Sequence, residues 1–475
     1  MMANKNHIIL PLTLILGIMT ICWAGIAGEL PIIGLVAAFP IIILMGFYIV
    51  QKPIILLYIV FTMNYFVMGL NRYITIPFVS VIMDAFIYGT LLLCIIQTML
   101  LKNMEWKYLK NPFTIGGLIW MFYCIGEIAN PSGLLEGWLV GRNLTFGIVV
   151  LSTLTILLVD KYKYVKLFIF MFAIFSLMAA LKGMMQKYAG FDGAEQRWLN
   201  NGGALTHIIG SGKRYFSFFT DASNYGSNMG SSFIVLGIAA LSMRSRKLKI
   251  FYAIVSLLCF YAMLLSGTRG AIAVPLGGIM LYTIACKNYK VMALSGLALV
   301  LFYAFFAFTM IGQGNQQIRR MRTAFRPSED ASYNVRKVKM VKFGKYLKNK
   351  PFGEGIALSG VSGRKITTRF TTSMNHDSWY VKIWIETGII GITLFLLIYF
   401  SSIGHGAYVL MFKVKDKELK GILLGFVCAT FGLLISAYGN AFFGQYPTYL
   451  FVIMGLSMAE RAETYDRELS TTTKD

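Results

Sequence analysis

Residues 251–271 read FYAIVSLLCFYAMLLSGTRGA. From Phe251 to Leu265 the run is apolar or aromatic apart from Ser256. Ser266-Gly267-Thr268-Arg269-Gly270 then interrupts it, and a second apolar run starts at Ala271. Two such runs in succession are the pattern of consecutive membrane helices, with Arg269 at the turn between them. A guanidinium at bilayer mid-depth costs roughly 2.5–3.5 kcal/mol on insertion scales, so a cation held at such a turn calls for an anionic partner.

The rest of the chain has the same character. Of 475 residues, 57% are hydrophobic and 14% charged, and the mean hydropathy is +0.65. A water-soluble chain carries about a quarter charged residues. Repeated apolar stretches of about 20 residues specify an all-α polytopic membrane protein of about 12–14 transmembrane helices. The expected spans are 8–27, 31–50, 54–70, 79–100, 113–129, 137–158, 164–182, 225–242, 249–265, 270–286, 290–311, 379–411, 419–439 and 445–459. The N-terminal run, which imitates a signal peptide, reads as a retained first helix because further spans follow at once. The net charge is +23, from 44 basic and 21 acidic side chains. In a membrane protein this points to anionic lipid rather than nucleic acid. Cys22, Cys94, Cys124, Cys259, Cys286 and Cys428 lie in or beside apolar runs with no CxxC pair, as packing residues.

Basic residues set the orientation. One set of short loops carries Lys52; Lys102, Lys107 and Lys110; Lys161, Lys163 and Lys166; Arg244, Arg246, Lys247 and Lys249; Lys287 and Lys290; and Lys413, Lys415, Lys417 and Lys420. The alternate set holds little beyond Arg72. The first set is expected in the cytoplasm with both termini, and two longer loops, 183–224 and 312–378, fall outside. The chain thus divides into N-terminal membrane helices (1–182), helices with the first outside loop and the S-G-T-R-G turn (183–311), a large basic loop (312–378), C-terminal membrane helices (379–460) and a cytoplasmic tail (461–475).

The acids of the 312–378 loop are only Glu329, Asp330, Glu354 and Asp377, against many Arg and Lys. Within it, Ser332 to Lys348 reads as a helix, capped by Asp330 or Ser332, with an apolar stripe at Val335, Val338 and Val341. Two readings overlap: a helix lying on anionic lipid, or a lid over a site.

Arg214, Arg269 and His376 all map to the outer face. Two guanidinium groups bind phosphate oxygens in bidentate forks, and an imidazole can move protons near neutral pH, so the set suits a diphosphate. Asp377 and Ser378, at the same helix start, read as caps. His207 reads as structural, His405 as packing, Glu386 as a contact to a neighbouring helix or cavity, and Trp379, Tyr380 and Trp384 as an interfacial belt. No HExxH, no DxD and no outside carboxylate pair suggests a metal, and no glycine signature suggests a nucleotide, so neither metal nor cofactor is expected.

Four stretches resemble the O-antigen ligase superfamily of bacterial envelope glycosyltransferases. They are Arg214 through Asn224; Leu265-Ser266-Gly267-Thr268-Arg269-Gly270-Ala271; Arg336 through Gly355, ending Pro351-Phe352-Gly353-Glu354-Gly355; and Asn375-His376-Asp377-Ser378 followed by Glu386-Thr387-Gly388-Ile389-Ile390-Gly391. Ser223 stands where the family has proline, and Asp377 where it has asparagine. The resemblance covers about 205–400 and implies a GT-C-type fold, an undecaprenyl-diphosphate-linked glycan donor, and metal-independent, inverting transfer at the periplasmic face of the inner membrane. It implies catalytic roles for Arg214, Arg269 and His376, and substrate binding by Arg336, Asn224, Asn375 and Asp377. The acceptor stays open among lipid A–core (a ligase), a growing lipid-linked glycan (a polymerase) and a protein serine (an oligosaccharyltransferase). A transporter of lipid-linked glycan is the competing class; it predicts polar groups threaded through the membrane.

Overall fold

The computed structural model describes residues 46, 48–74, 79–101, 104–209, 212–314, 316–325 and 331–472. The expected span 8–27 and nearly all of 31–50 lie outside these residues, as do Cys22 and the cap Asp330. The chain forms two compact units, Met1–Leu56 and Leu57–Asp475. In the first, a described turn closes with the Lys52 amide donating to the Tyr48 carbonyl at 3.0 Å.

From that boundary on, the helices are α1 (Ile54–Leu70), α2 (Val79–Leu101), α3 (Pro112–Gly126), α4 (Arg142–Leu158), α5 (Tyr162–Tyr188), α6 (Ala222–Ser242), α7 (Arg246–Leu265), α8 (Ala273–Ala285), α9 (Tyr289–Phe308), α10 (Ala331–Leu347), α11 (Trp379–Phe412), α12 (Lys417–Ala437), α13 (Thr448–Glu460) and α14 (Ala462–Thr472). Among the described residues, eight helices are long and apolar enough to cross a membrane: α2, α3 prolonged to Ala129, α4 with its lead-in from Leu135, α5, α7, α9, α11 and α12. Three shorter apolar helices join them: α1, α8 with the turn from Arg269, and α13. The protein is an all-α polytopic membrane protein, and every expected span from 54–70 onward is a helix with ends moved by a few residues.

Local chemistry fixes those ends. Asn111 accepts from the Thr114 amide at 2.9 Å, ahead of Pro112 in the first turn of α3. Asp221 accepts from the Ser223 and Asn224 amides at 2.7 and 3.0 Å and opens α6. Asp416 does the same for α12 through the Leu419 amide, at 2.9 Å. Each cap satisfies donors that a helix start leaves bare.

α12 is the central helix and packs on α6, α8, α11 and α13. Close approach is possible where a side chain is missing: a Cβ on Gly432 would stand 2.1 Å from the Val274 carbonyl oxygen. α9 is the opposite case. Only Phe306 on it is buried, while Leu294, Val300 and Leu301 face outward.

The 312–378 segment is largely helical in its described part. α10 follows the expected range, but its valines do not form the buried stripe. Val335, Val338 and Val341 are each more than half exposed. Phe343 and Leu347, with Met340 beside them, pack instead on Val381, Ile385 and Trp384 of α11. Steps of three and four residues keep to one helical face, whereas repeated steps of three drift around it. Trp384 is partly buried against this cluster, Trp379 is 4% exposed, and the Tyr380 hydroxyl donates to the Leu434 carbonyl at 2.5 Å. Trp379, expected in an interfacial belt, is interior packing.

α11 breaks at Gly388, whose φ is +65°. The break receives the segment 351–355. The Glu354 amide donates to the Ile385 carbonyl at 2.8 Å, and the Gly355 amide to the Glu386 carbonyl at 3.1 Å. A Cβ on Gly388 would lie 1.8 Å from the Pro351 oxygen. Positive φ and this contact together require glycine. The Pro-x-G-x-G and E-x-G-x-x-G stretches, far apart in sequence, are the two halves of one joint.

Candidate active site

The turn after α7 presents Arg269. Gly267 takes φ of +58°, and Arg320 from the segment after α9 lies over it, its Cδ 3.6 Å from where a Cβ would be. Thr268 Oγ1 donates to the Ala222 carbonyl at 2.9 Å and accepts from Arg214 Nη2 at 2.8 Å. Arg214 Nη1 donates to the Thr206 carbonyl at 3.1 Å, so Arg214 is tied to the turn that carries Arg269. Arg269 Nη1 reaches Thr323 Oγ1 at 3.2 Å. Burial lowers the pKa of Arg214; Asp221 opposes this, and the like charges of Arg269 and Arg336 add to it. The three arginines the sequence singled out are therefore within electrostatic reach of one another, and positive charge is in surplus there.

The segment 436–440 joins this cluster to α10 and α11. Ser436 Oγ donates to the Gly270 carbonyl at 2.7 Å, the Asn440 carbonyl accepts from the Trp379 amide at 3.3 Å, and Gly439 faces Arg336 Nη1. Here a cavity of about 600 Å³ opens between α10 and α11. Its lining is mixed: Arg336, Lys337, Lys339, His376 and Asp377 are polar, and Met340, Val341, Phe343, Val381 and Trp384 are apolar or aromatic. Asp377 Oδ2 lies 3.6 Å from both Arg336 Nε and Lys339 Nζ. Asp377 is thus an ion-pair partner, and Ser378 is the cap of α11 through the Val381 amide at 3.5 Å.

His376 is held from behind. Its Nε2 lies 3.0 Å from Ser359 Oγ, and the Ser359 hydroxyl donates to Glu386 Oε1. A hydroxyl has one proton. If that proton goes to Glu386, Ser359 can only accept from His376, which fixes the Nε2–H tautomer and leaves Nδ1 as a bare acceptor. His376 Nδ1 is buried with no hydrogen-bond partner among the described residues. Burial pushes the His376 pKa down to about 4; Lys382 and Lys339 act in the same direction and Asp377 against it. Burial and the two lysines thus keep this imidazole neutral. Gly360, at φ +54°, makes room, since a Cβ there would stand 2.8 Å from Nε2.

Other expected site residues are placed differently. Asn224 is fully buried; its Nδ2 donates to the Tyr446 carbonyl at 2.8 Å and its Oδ1 accepts from Thr448 Oγ1 at 2.7 Å, which ties α6 to α13. Asn375 is exposed; its carbonyl accepts from Lys339 Nζ and its Oδ1 from Arg364 Nη2, each at 3.0 Å. His207 is buried, accepts from the Ala222 amide at 3.1 Å, and has its pKa pushed down to about 4 by burial. His405, read as packing, has Nδ1 at 2.7 Å from Glu460 Oε2. Among the described residues, no three of His, Cys, Asp and Glu come together as a metal site would need. Sequence reasoning missed Ser359 and Arg320. Ser359 carries no motif; its only signal is a place shortly after the Pro-x-G-x-G stretch.

Comparison with curated proteins gives no match to the chain. The family model described as O-antigen ligase matches residues 254–396, which include Arg269, Arg336, Ser359, His376 and Glu386 but not Arg214. The S-G-T-R-G turn, α10 and the His376 helix start all lie inside the matched region, and over that region this membrane chain is similar to the O-antigen ligase family.

Proposed function

We propose that this protein is a glycosyltransferase that moves a glycan from undecaprenyl diphosphate to an acceptor hydroxyl, with lipid A–core as the acceptor. Transfer takes place at the periplasmic face of the bacterial inner membrane, inverts the anomeric centre and needs no metal ion. The observation that carries the reading is the cavity of about 600 Å³ with a mixed cationic and apolar lining. Its basic residues suit a diphosphate and its apolar residues a polyprenyl chain, and Arg214 feels the charge of both Arg269 and Arg336. The asymmetry of basic residues between short loops supports the outward orientation.

The acceptor oxygen forms a bond to the donor sugar C1 as the C1–O bond to the diphosphate breaks. Charge grows on the departing diphosphate, and guanidinium groups already in place stabilise it without reorganising. The acceptor proton passes to His376 Nδ1. A base with a pKa near 4 is weak, but the negative charge of a bound diphosphate raises it toward neutrality. The new imidazolium is hydrogen-bonded through Ser359 to the Glu386 carboxylate.

The test is reconstitution in vesicles with a labelled lipid-linked glycan. Three arms supply core lipid, a second lipid-linked glycan, or neither. Transfer to core lipid is expected. Extension of the second lipid-linked glycan instead makes the protein a polymerase. Movement of the donor across the bilayer with no new glycosidic bond makes it a transporter and refutes the reading.

A further inference from the structure

Behind the His376–Ser359–Glu386 chain lies a second cavity, of about 200 Å³. Its lining includes Asn143, Ser362, Trp379, Lys382, Glu386 and Tyr446. It is about a third of the volume of the first cavity, a size for a small group rather than an oligosaccharide. Among the described residues, two polar atoms of its lining side chains are buried with no hydrogen-bond partner. Glu386, 1% exposed, uses Oε1 for Ser359 and leaves Oε2 without a hydrogen bond. Trp379, 4% exposed, leaves its indole Nε1–H without one. Buried polar groups are normally paired, so a carboxylate oxygen and an indole donor left bare beside the same cavity call for a ligand with both donors and acceptors. The wall is also strained: Ala357, which lines the cavity, has φ of +58°.

From these groups we infer that the second cavity is a subsite for a single pyranose ring, with one sugar hydroxyl donating to Glu386 Oε2 and another accepting from Trp379 Nε1–H. The lining combines aromatic residues, Trp379, Tyr446 and Tyr449, suited to the apolar C–H side of such a ring, with polar Asn143 and Lys382, suited to its hydroxyls. The subsite rests on the glycosyltransferase reading, and it places the bound sugar against the same carboxylate that supports His376. Two sources share this chemistry: the first sugar of the lipid-linked donor and the terminal sugar of the acceptor.

Two substitutions probe the cavity without touching His376, Ser359 or Glu386. Ser362→Phe, at an exposed position on the rim, plugs it; Trp379→Phe keeps the ring and removes the donor. Steady-state kinetics of the reconstituted variants are measured with donor and acceptor varied in turn. Loss of the indole hydrogen bond raises one KM about three- to tenfold, and the plug raises the same KM at least as far, with the other KM unchanged. A donor KM that moves names the donor sugar as occupant; an acceptor KM names the acceptor sugar. Both KM values unchanged in the plugged variant, or a loss of kcat alone, overturns the subsite. Independently of transfer, methyl glycosides of glucose, galactose, mannose and N-acetylglucosamine are added to wild-type protein in a sugar-free detergent. A rise in Tm with at least one of them, abolished by Ser362→Phe, supports the subsite even if no transfer is found, in which case only the glycosyltransferase reading fails. No rise with any of the four counts against it.

Discussion

Ser359→Ala separates a positioned base from an imidazole that merely sits near substrate. The substitution removes the acceptor for His376 Nε2–H and the donor to Glu386 Oε1. A hydrogen bond between neutral groups contributes about 1 kcal/mol, and one involving a charged group about 1.5–3 kcal/mol. His376 is neutral before transfer and charged after it, so the Ser359 contact strengthens by about 0.5–2 kcal/mol on the way, which is about two- to thirtyfold in kcat. The expected loss therefore lies below the roughly 10²–10⁴-fold assigned to removing a general base with His376→Ala. Ser359→Thr keeps the hydroxyl and should recover most of the rate. Glu386→Gln keeps an acceptor for Ser359 without the charge and should fall between wild type and Ser359→Ala. The assay is single-turnover transfer from a labelled donor, on protein shown to be folded by its elution and Tm, because Ser359→Ala also strips a partner from a buried carboxylate. Wild-type turnover in folded Ser359→Ala would refute the relay and make Ser359 a packing residue. A loss as large as that of His376→Ala would refute it the other way and give Ser359 its own role in the reaction.

Arg269→Lys keeps the charge but not the planar fork, and the loss of a charge-assisted contact worth about 1.5–3 kcal/mol should lower kcat/KM about 10- to 150-fold; near-normal kcat/KM would make Arg269 a generic cation. The acid limb of kcat/KM for the donor should lie near the His376 pKa of about 4, because burial depresses it and the base acts only above it. In the complex the diphosphate raises that pKa, so the limb of kcat should lie at higher pH, and coincident limbs near the ordinary histidine value would contradict both points. Excess chelator should leave transfer within about twofold, far from the tenfold change that 1.4 kcal/mol produces; loss restored by Mg²⁺ or Mn²⁺ would overturn the arginine-only account. Cysteine at Val361, 59% exposed, should react with an impermeant thiol reagent in cells with a permeable outer membrane, and cysteine at Thr471 should not; the reverse pattern would invert the orientation.

The helices were legible because apolar length alone specifies them, and the arginine pairing because a charge between two apolar runs has few physical excuses. What the sequence concealed has a common cause. The valines of α10 are spaced by threes and looked like a stripe, yet the packed face uses Met340, Phe343 and Leu347, and only the position of α11 decides between them. Trp379 and Trp384 look like interfacial residues because composition does not distinguish a ring against lipid from a ring against a loop. Ser359 is beyond any local pattern: its role comes from a backbone joint between segments about thirty residues apart. Asn224 shows the converse, a polar residue inside a family-like stretch whose side chain is used to tie two helices together.

The break at Gly388 also bears on how the chain is assembled. In a medium without water, a helix that interrupts its own hydrogen bonding leaves carbonyls that must find donors elsewhere. For Ile385 and Glu386 those donors are the amides of Glu354 and Gly355. Synthesis runs from the N-terminus, so residues 351–355 leave the ribosome before α11 does. The helix therefore completes its hydrogen bonding against a partner that has been made first, and a delay in delivering that partner would leave a broken span waiting in lipid. Quality control of this protein should accordingly be sensitive to changes in the loop, even though the element at risk is the membrane helix.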